Sequence, residues 1–258
     1  MTLARDGERE LCSAPVGDAG YFYRRLPRRI LGRVEDLVRD LEAAADGDLV
    51  AIVLAGGVAR GEFREESSDI DVVVVLETAK REVLSKIGGP LAVARAAARI
   101  DVTLLQAAEI DRSSDVFPLL FEDLRANRFV LWGKDPFVGL EVAREHRRLR
   151  VEQELREAAL ALRRAAAEAR GDAKALGAGV ERVLSRIRLP LRGLLDLLGV
   201  SCDSYALEAV LSKAGKKLVV PTARLGRPTS QPEECWDELA TLLATAVAAV
   251  DTLDANAA

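Results

Sequence analysis

The segment that most constrains the fold is an apolar run that carries acids. The stretch Ile70–Val75 reads IDVVVV, with Asp71 inside the run and Asp69 directly before it. A run this rich in valine predicts a buried strand, and a carboxylate beside such a strand costs free energy unless something compensates its charge. Alternate side chains of a strand share a face. We therefore expect Asp69 and Asp71 to point the same way, toward a partner that makes their charges worth keeping.

A second apolar strand carries the same anomaly. Asp101 lies between Ile100 and Val102 in the stretch RIDVTLL. If the two strands are neighbours, the three carboxylates lie close together. Two carboxylates ~4 Å apart, with no cation between them, already repel by about 4 kcal/mol at an effective dielectric of about 20. Clustered carboxylates without His or Cys favour a hard divalent ion, above all Mg²⁺ bound together with substrate phosphates. The acids therefore predict a magnesium site.

The glycine pair Gly56-Gly57 lies just upstream and fits the same site. It follows an apolar strand at 49–54 and precedes a short predicted helix at 58–64. A strand, two glycines and a helix start bring backbone N–H groups up to an anion, and the missing side chains let a triphosphate approach closely. Metal on one side and amides on the other indicate phosphoryl or nucleotidyl transfer.

The first half of the chain predicts an α+β domain, with a small mixed sheet flanked by helices. Apolar residues at helical spacing predict helices, and short apolar runs predict strands. Helices are expected at 30–41, at 79–86 with a break at the Gly-Gly-Pro of 88–90, and at 118–126. Strands are expected at 49–54, 70–76, 99–105 and 128–132.

The second half predicts an all-α helical bundle. Helical patterns run over 149–170, then from Val180 to Leu198 with a kink or split at Pro190, and then behind a capping box formed by Ser230 and Glu233. A further helix is expected from Asp203 to Gly215, and a short strand is allowed at 217–220. The domain boundary is expected near 138–148. Residues 1–140 are expected to form the catalytic domain, and residues 141–258 a helical bundle that binds the acceptor.

Composition and charge restrict the location and the partners. The 258 residues carry a formal net charge of −4, so no global field indicates nucleic acid, which is not expected as a partner. No apolar run approaches the ~20 residues of a membrane span, and the N-terminus lacks the apolar stretch of a signal peptide. A cytoplasmic protein is expected. The three cysteines have no paired spacing and are interpreted as ordinary thiols: Cys12, Cys202 and Cys235.

The stretch GGVARGEFREESSDIDVVV resembles the signature of nucleotidyltransferases of the DNA polymerase beta superfamily, especially its small bacterial and archaeal members. Their pattern is Gly-Ser, a short Ala-Arg-Gly segment, then Ser-Asp-x-Asp on a strand, with a third acid on a later strand. The matching residues are Gly56, Ala59, Arg60, Gly61, Ser68, Asp69 and Asp71, with Asp101 as the third acid. The resemblance covers roughly 30–138. Gly57 departs from it, because a serine is usual there; the polymerase branch tolerates Gly-Gly.

This resemblance implies roles for the matching residues. The catalytic acids, which would hold two Mg²⁺ ions, are Asp69, Asp71 and Asp101. Asp101 would also help to activate the attacking hydroxyl. The phosphate contacts would come from Gly56, Gly57, Ser68 and Arg60. For Arg60 the alternative is a simple ion pair with Glu62 or Glu65.

The overall plan resembles kanamycin and aminoglycoside nucleotidyltransferases, which also have a helical second domain. It implies transfer of an NMP, with ATP as the expected donor, to an acceptor hydroxyl with release of pyrophosphate. The acceptor is expected to be a small molecule, and a homodimer is compatible with the sequence. One alternative is a protein adenylyltransferase of the antitoxin type. Another is a nucleotide-binding module without catalysis, which Gly57 allows and the three acids argue against.

Overall fold

The computed structural model describes residues 19–63, 65, 68–199 and 231–253. Within them, contacts separate two compact units. One contains the described residues up to Ser113 together with Glu122–Leu140, and the other contains Ser114–Phe121 and the described residues from Glu141 onward. The assignment of a catalytic and an acceptor-binding domain stays a prediction. Several sequence predictions lie outside the described residues: the helix at 203–215, the strand at 217–220, Ser230, Cys12 and Cys202.

The first unit is an α+β structure, as predicted. In chain order its elements are α1 Ala19–Arg24, α2 Arg28–Ala45, β1 Leu49–Leu54, α3 Gly56–Ala59, β2 Ile70–Leu76, α4 Arg81–Ala98, β3 Ile100–Gln106, a 3₁₀ turn at Ala107–Glu109, α5 Ile110–Ser113, α6 Pro118–Ala126 and β4 Phe129–Gly133. Helix α6 belongs to this unit only from Glu122 onward. The four predicted strands are present. The helix expected at 58–64 is the single turn α3, which begins at Gly56.

The sheet is mixed and has the strand order β3-β2-β1-β4. Strand β1 is antiparallel to both β2 and β4, whereas β2 and β3 are parallel and joined through α4. Parallel neighbours need such a crossover. Strand β2 therefore lies inside the sheet, which explains why its sequence is almost continuously apolar.

The core of the first unit fixes which face of β2 is free for other groups. Ile70, Val72 and Val74 pack in one cluster with the apolar stripe of α2 and with buried residues of α4. Side chains alternate along a strand, so Asp69 and Asp71 point to the opposite face of the sheet. The acids are thus presented on the face that α2 and α4 do not cover.

Helix α4 corrects one sequence prediction. A break at the Gly-Gly-Pro of 88–90 was expected, but the helix is continuous from Arg81 to Ala98 with Pro90 inside it. Val83 and Ile87 before the proline and Ala94 after it are all buried in the core shared with α2. Burial on both sides of the proline outweighs the local cost of the glycines and the lost hydrogen bond. The predicted break is therefore wrong.

The described part of the second unit is helical, as predicted, with α7 Arg144–Ala169, α8 Ala173–Arg186, α9 Arg188–Leu197 and α10 Pro232–Asp251. The apolar stripe from Val180 to Leu198 is divided between two helices, and the division lies at Ile187 and not at Pro190. Pro190 lies in the first turn of α9, where its missing N–H is not needed. Cys235 is buried. None of the helices described here has the length and hydropathy required to cross a bilayer.

A buried ion pair ties α6 to the end of β4. The guanidinium of Arg128 donates from Nε to both oxygens of Asp135 at 2.9 Å and from Nη1 to the Leu124 and Arg125 carbonyls at 3.0 and 2.7 Å. Both side chains are only 6% exposed. The Phe137 N–H also donates to Asp135. The arginine thus closes the last turn of α6 and anchors the loop after β4.

We predict that Arg128→Met lowers the free energy of unfolding by about 3 kcal/mol or more, because it leaves the Asp135 carboxylate buried without its partner. Chemical denaturation followed by circular dichroism measures this. The matched control is Arg125→Met, which removes a half-exposed guanidinium that pairs with Glu122 and is expected to cost less than about 1 kcal/mol. Equal losses for the two variants would contradict the assignment.

Candidate active site

The structure brings the three predicted acids to one face of the sheet. Asp71 of β2 and Asp101 of β3 are direct partners in the parallel register, and Asp69 precedes Asp71 by two residues. Ser68 lies half-buried next to Asp69. Directly opposite residues on neighbouring strands lie close enough for their side chains to interact. The register therefore makes Asp71 and Asp101 neighbours although they are 30 positions apart in the chain.

Asp71 is the most enclosed of the three carboxylates. Its backbone carbonyl accepts from the Ala55 N–H at 2.9 Å, which continues the pairing of β1 with β2. Its side chain accepts a long hydrogen bond of 3.4 Å from the Gly57 N–H. Burial raises the pKa of this carboxyl, and the negative charges of Asp101 and Asp69 raise it further, against the opposing effects of the Gly57 N–H and Arg60. A nearby cation would offset this cost.

The two glycines have different structural requirements. Gly56 has a φ of +60°, and a Cβ on it would lie 1.8 Å from Oδ2 of Asp71. Only a residue without a side chain fits beneath that carboxylate. At Gly57 an added Cβ would meet nothing within 4 Å, and φ is not positive. The turn thus requires glycine at position 56, whereas position 57 faces open space that a serine could occupy.

Arg60 is held by two carboxylates. Its Nε lies 3.2 Å from Glu62 and its Nη1 lies 2.6 Å from Asp123 of α6, and all three side chains are largely buried. Of the two pairings predicted from the sequence, the one with Glu62 is formed, whereas Glu65 pairs with Arg29. Arg60 also lowers the pKa of Asp71. Its charge therefore acts on the acid site from a fixed position, and its predicted contact with phosphate stays a prediction.

Helix α1 also holds the glycine turn, and the sequence reasoning missed it. The ring of Phe22 lies against Gly61, where a Cβ would meet its atoms at 2.5 Å. Gly61 has a φ of +76°, which favours glycine. The available signal was three consecutive aromatic residues, Tyr21, Phe22 and Tyr23, in a chain that is only 4% aromatic. Such a cluster beside a short helix indicates a packing surface.

Two arginines at the end of α4 contact the other acids, and the sequence reasoning missed these as well. Nη1 of Arg95 lies 2.8 Å from Oδ1 of Asp101 and 4.0 Å from Oδ2 of Asp69. Nε of Arg99 donates to Oδ1 of Asp69 at 3.0 Å. Among the described residues, no three or more His, Cys, Asp or Glu side chains are arranged to hold a metal ion. Two of the carboxylates are instead engaged by guanidinium groups.

The donor set nevertheless suits a hard cation. The acids offer only oxygen atoms, which Mg²⁺ prefers, and Asp71 and Asp101 are cross-strand neighbours. Gly56 leaves room for the Asp71 carboxylate, whose pKa burial raises. Asp69, Asp71 and Asp101 thus stay the predicted ligands of Mg²⁺.

We predict that Gly56→Ala destabilises the protein by about 2–4 kcal/mol, because the methyl group overlaps the Asp71 carboxylate and the left-handed backbone is strained for any other residue. Gly57→Ser is the matched control and should change stability by less than about 0.5 kcal/mol. Thermal unfolding of the two variants measures the difference. Similar stabilities would show that the turn does not need glycine at position 56.

Comparison with known proteins finds one family that part of this chain resembles. The family model "Nucleotidyltransferase domain" matches residues 32–132, from α2 to β4, and no curated protein sequence matches the chain significantly. A solved structure of spectinomycin adenyltransferase AAD(9) from Enterococcus faecialis, with ATP and spectinomycin, aligns with 86% of this chain and 99% of its own at 10% identity and a TM-score of 0.45. Residues 32–132 are thus similar to a nucleotidyltransferase domain, in agreement with the family resemblance predicted from the sequence.

Proposed function

We propose that this protein transfers a nucleoside monophosphate from a nucleoside triphosphate, with ATP as the expected donor, to the hydroxyl of an acceptor. The new bond joins the acceptor oxygen to the α-phosphorus, the bond from that phosphorus to the β-phosphate oxygen breaks, and pyrophosphate leaves. The observation that carries this proposal is the register of Asp71 with Asp101 beside the Gly56 turn, inside a domain that matches nucleotidyltransferases.

The three acids differ in exposure, and this suggests a division of roles. The side chain of Asp101 is 62% exposed and that of Asp69 is 40% exposed, whereas Asp71 is partly buried against the glycine turn. The exposed Asp101 is the acid that an acceptor hydroxyl can reach, and we assign to it the acceptance of the hydroxyl proton. Mg²⁺ held by the acids would neutralise charge that develops on the phosphates.

The glycine turn is the proposed binding place for the triphosphate. The space above Gly57 is open, so a phosphate oxygen can approach the backbone without meeting a side chain. The serine that is usual in the resembling family is absent, and binding would then depend on the backbone and on the fixed positive charge of Arg60. Ser68 is proposed as a further phosphate contact.

A small-molecule acceptor remains our first proposal and a protein acceptor the alternative. Incubation of the full chain with Mg²⁺ and each labelled NTP, with a panel of hydroxylated small molecules and with cell proteins, tests both. Labelled small products support the first, and labelled protein supports the second. NTP binding without transfer to any acceptor would overturn the enzyme proposal in favour of a non-catalytic module. A cytoplasmic location and a homodimer stay predictions from the sequence.

We predict that Asp71→Asn lowers nucleotidyl transfer by roughly 1,000-fold or more, because it removes a charge from the group that would hold the metal. The same change should leave the melting temperature unchanged or slightly higher. Folding raises the pKa of this carboxyl, so the ionised side chain opposes folding at neutral pH and the neutral isostere does not.

The matched control is Glu77→Gln, which neutralises an exposed acid just beyond the other end of β2 and should retain full activity. Initial rates with labelled NTP and thermal unfolding measure the two properties separately. An Asp71→Asn variant with wild-type activity would show that the site is assigned to the wrong residues. A variant that has lost its fold would contradict the stability prediction.

A further inference from the structure

Two guanidinium groups contact the acids of the candidate site. Arg95 bridges Asp101 at 2.8 Å and Asp69 at 4.0 Å, and Arg99 donates to Asp69 at 3.0 Å. Both arginines belong to the C-terminal end of α4, the helix that connects the two strands carrying the acids. The oxygens that they engage are among those proposed above for Mg²⁺.

The charges show why the arginines lie there. Three carboxylates on one face would repel one another, and two guanidinium groups in contact with them supply two of the compensating positive charges. A divalent cation supplies the same compensation from a single point. A guanidinium and a cation on the same carboxylate repel each other, so each weakens the binding of the other.

The contacts of Arg95 and Arg99 with the acids are weak enough for a metal ion to replace them. The side chains of Arg95 and Arg99 are 54% and 48% exposed, and ion pairs in contact with water contribute little net stability. In the same unit the pair of Arg128 and Asp135 is 6% exposed on both sides and has the character of a permanent structural contact. Exposure therefore distinguishes the exchangeable pairs from the fixed one.

Arg99 is placed on the acid by an unusual backbone conformation. It ends α4 with a φ of +54°, in the left-handed region where glycine is the common residue after a helix. Its carbonyl accepts from the Ile70 N–H at 3.1 Å, at the point where β2 begins. The backbone contact needs no side chain, so the arginine at this strained position is not required for the helix to end.

We propose that Arg95 and Arg99 act as a built-in counter-cation that holds the acid site closed to metal until the guanidinium groups are displaced. This rests on the proposed function, because it takes Asp69, Asp71 and Asp101 as the metal ligands. An NTP supplies phosphate oxygens to which the displaced guanidinium groups can turn. Metal alone therefore binds weakly, and metal together with nucleotide binds more tightly. The arginines are positioning residues that set this coupling.

The test uses the full chain and Mn²⁺ as a paramagnetic substitute for Mg²⁺, with free Mn²⁺ measured by electron paramagnetic resonance. The variant is Arg95→Gln with Arg99→Gly. Glutamine keeps a good helix former in the last turn, and glycine relieves the left-handed strain, so we expect the fold to be retained. The control is Arg81→Gln, which removes an 89% exposed arginine at the start of the same helix.

We expect the double variant to bind Mn²⁺ about tenfold more tightly than the wild type in the absence of nucleotide, and the control to be unchanged. A non-hydrolysable NTP should tighten Mn²⁺ binding strongly in the wild type and much less in the double variant. Equal or weaker Mn²⁺ binding by the double variant would overturn the inference. So would the same tightening in the control, because the effect would then come from net charge alone.

Failure of this inference can be told apart from failure of the proposed function. If Mn²⁺ binds and Asp71→Asn abolishes the binding, but the arginine changes have no effect, the metal site is supported. The proposed role of Arg95 and Arg99 is then overturned. If no form of the protein binds Mn²⁺, with or without nucleotide, the metal site itself is wrong and both proposals fall. Circular dichroism of each variant confirms that the comparison is made between folded proteins.

Discussion

The candidate site depends on one close approach, that of the Gly56 backbone to the Asp71 carboxylate. The chain leaves β1, turns at Gly56 beneath that carboxylate and later returns as β2, whose Asp71 carbonyl bonds the Ala55 N–H. A side chain at position 56 would occupy the space of the carboxylate itself. Phe22 against Gly61 and Asp123 on Arg60 then hold the rest of the turn. Strand pairing, the turn and the acid site therefore form one cooperative arrangement rather than three separate features.

The sequence predicted the parts of this arrangement that have a local chemical signature. The valines of β2 indicated a buried strand, and the two aspartates within a glycine-containing motif indicated a site for metal and phosphate. Asp101 was found because it is an acid in an apolar strand. Its alignment with Asp71, however, depends on the parallel register, which no local pattern encodes. The residues that carry the family resemblance, Gly56 to Asp101, lie within the matched range 32–132.

What the sequence did not predict depends on partners that are distant in the chain. The continuity of α4 through Pro90 comes from packing against α2, and local propensity argued for a break. Arg95 and Arg99 lie in an Ala- and Arg-rich segment where charges on a solvated helix surface are the usual interpretation. Only the fold places them beside Asp69 and Asp101. The same holds for Phe22, whose contact with Gly61 joins positions far apart in the sequence.

The connection between β2 and β3 has a consequence for how this domain can tolerate changes in length. Helix α4 ends at Arg99 and β3 begins at the next residue, so no loop separates the helix from the strand that carries Asp101. One residue inserted there would shift the strand by one position and turn Asp101 to the other face of the sheet. The segment 77–80 before α4 is largely exposed and can absorb such a change. A single-residue insertion in the segment before α4 is thus expected to be neutral. The same insertion between α4 and β3 is expected to separate Asp101 from Asp71.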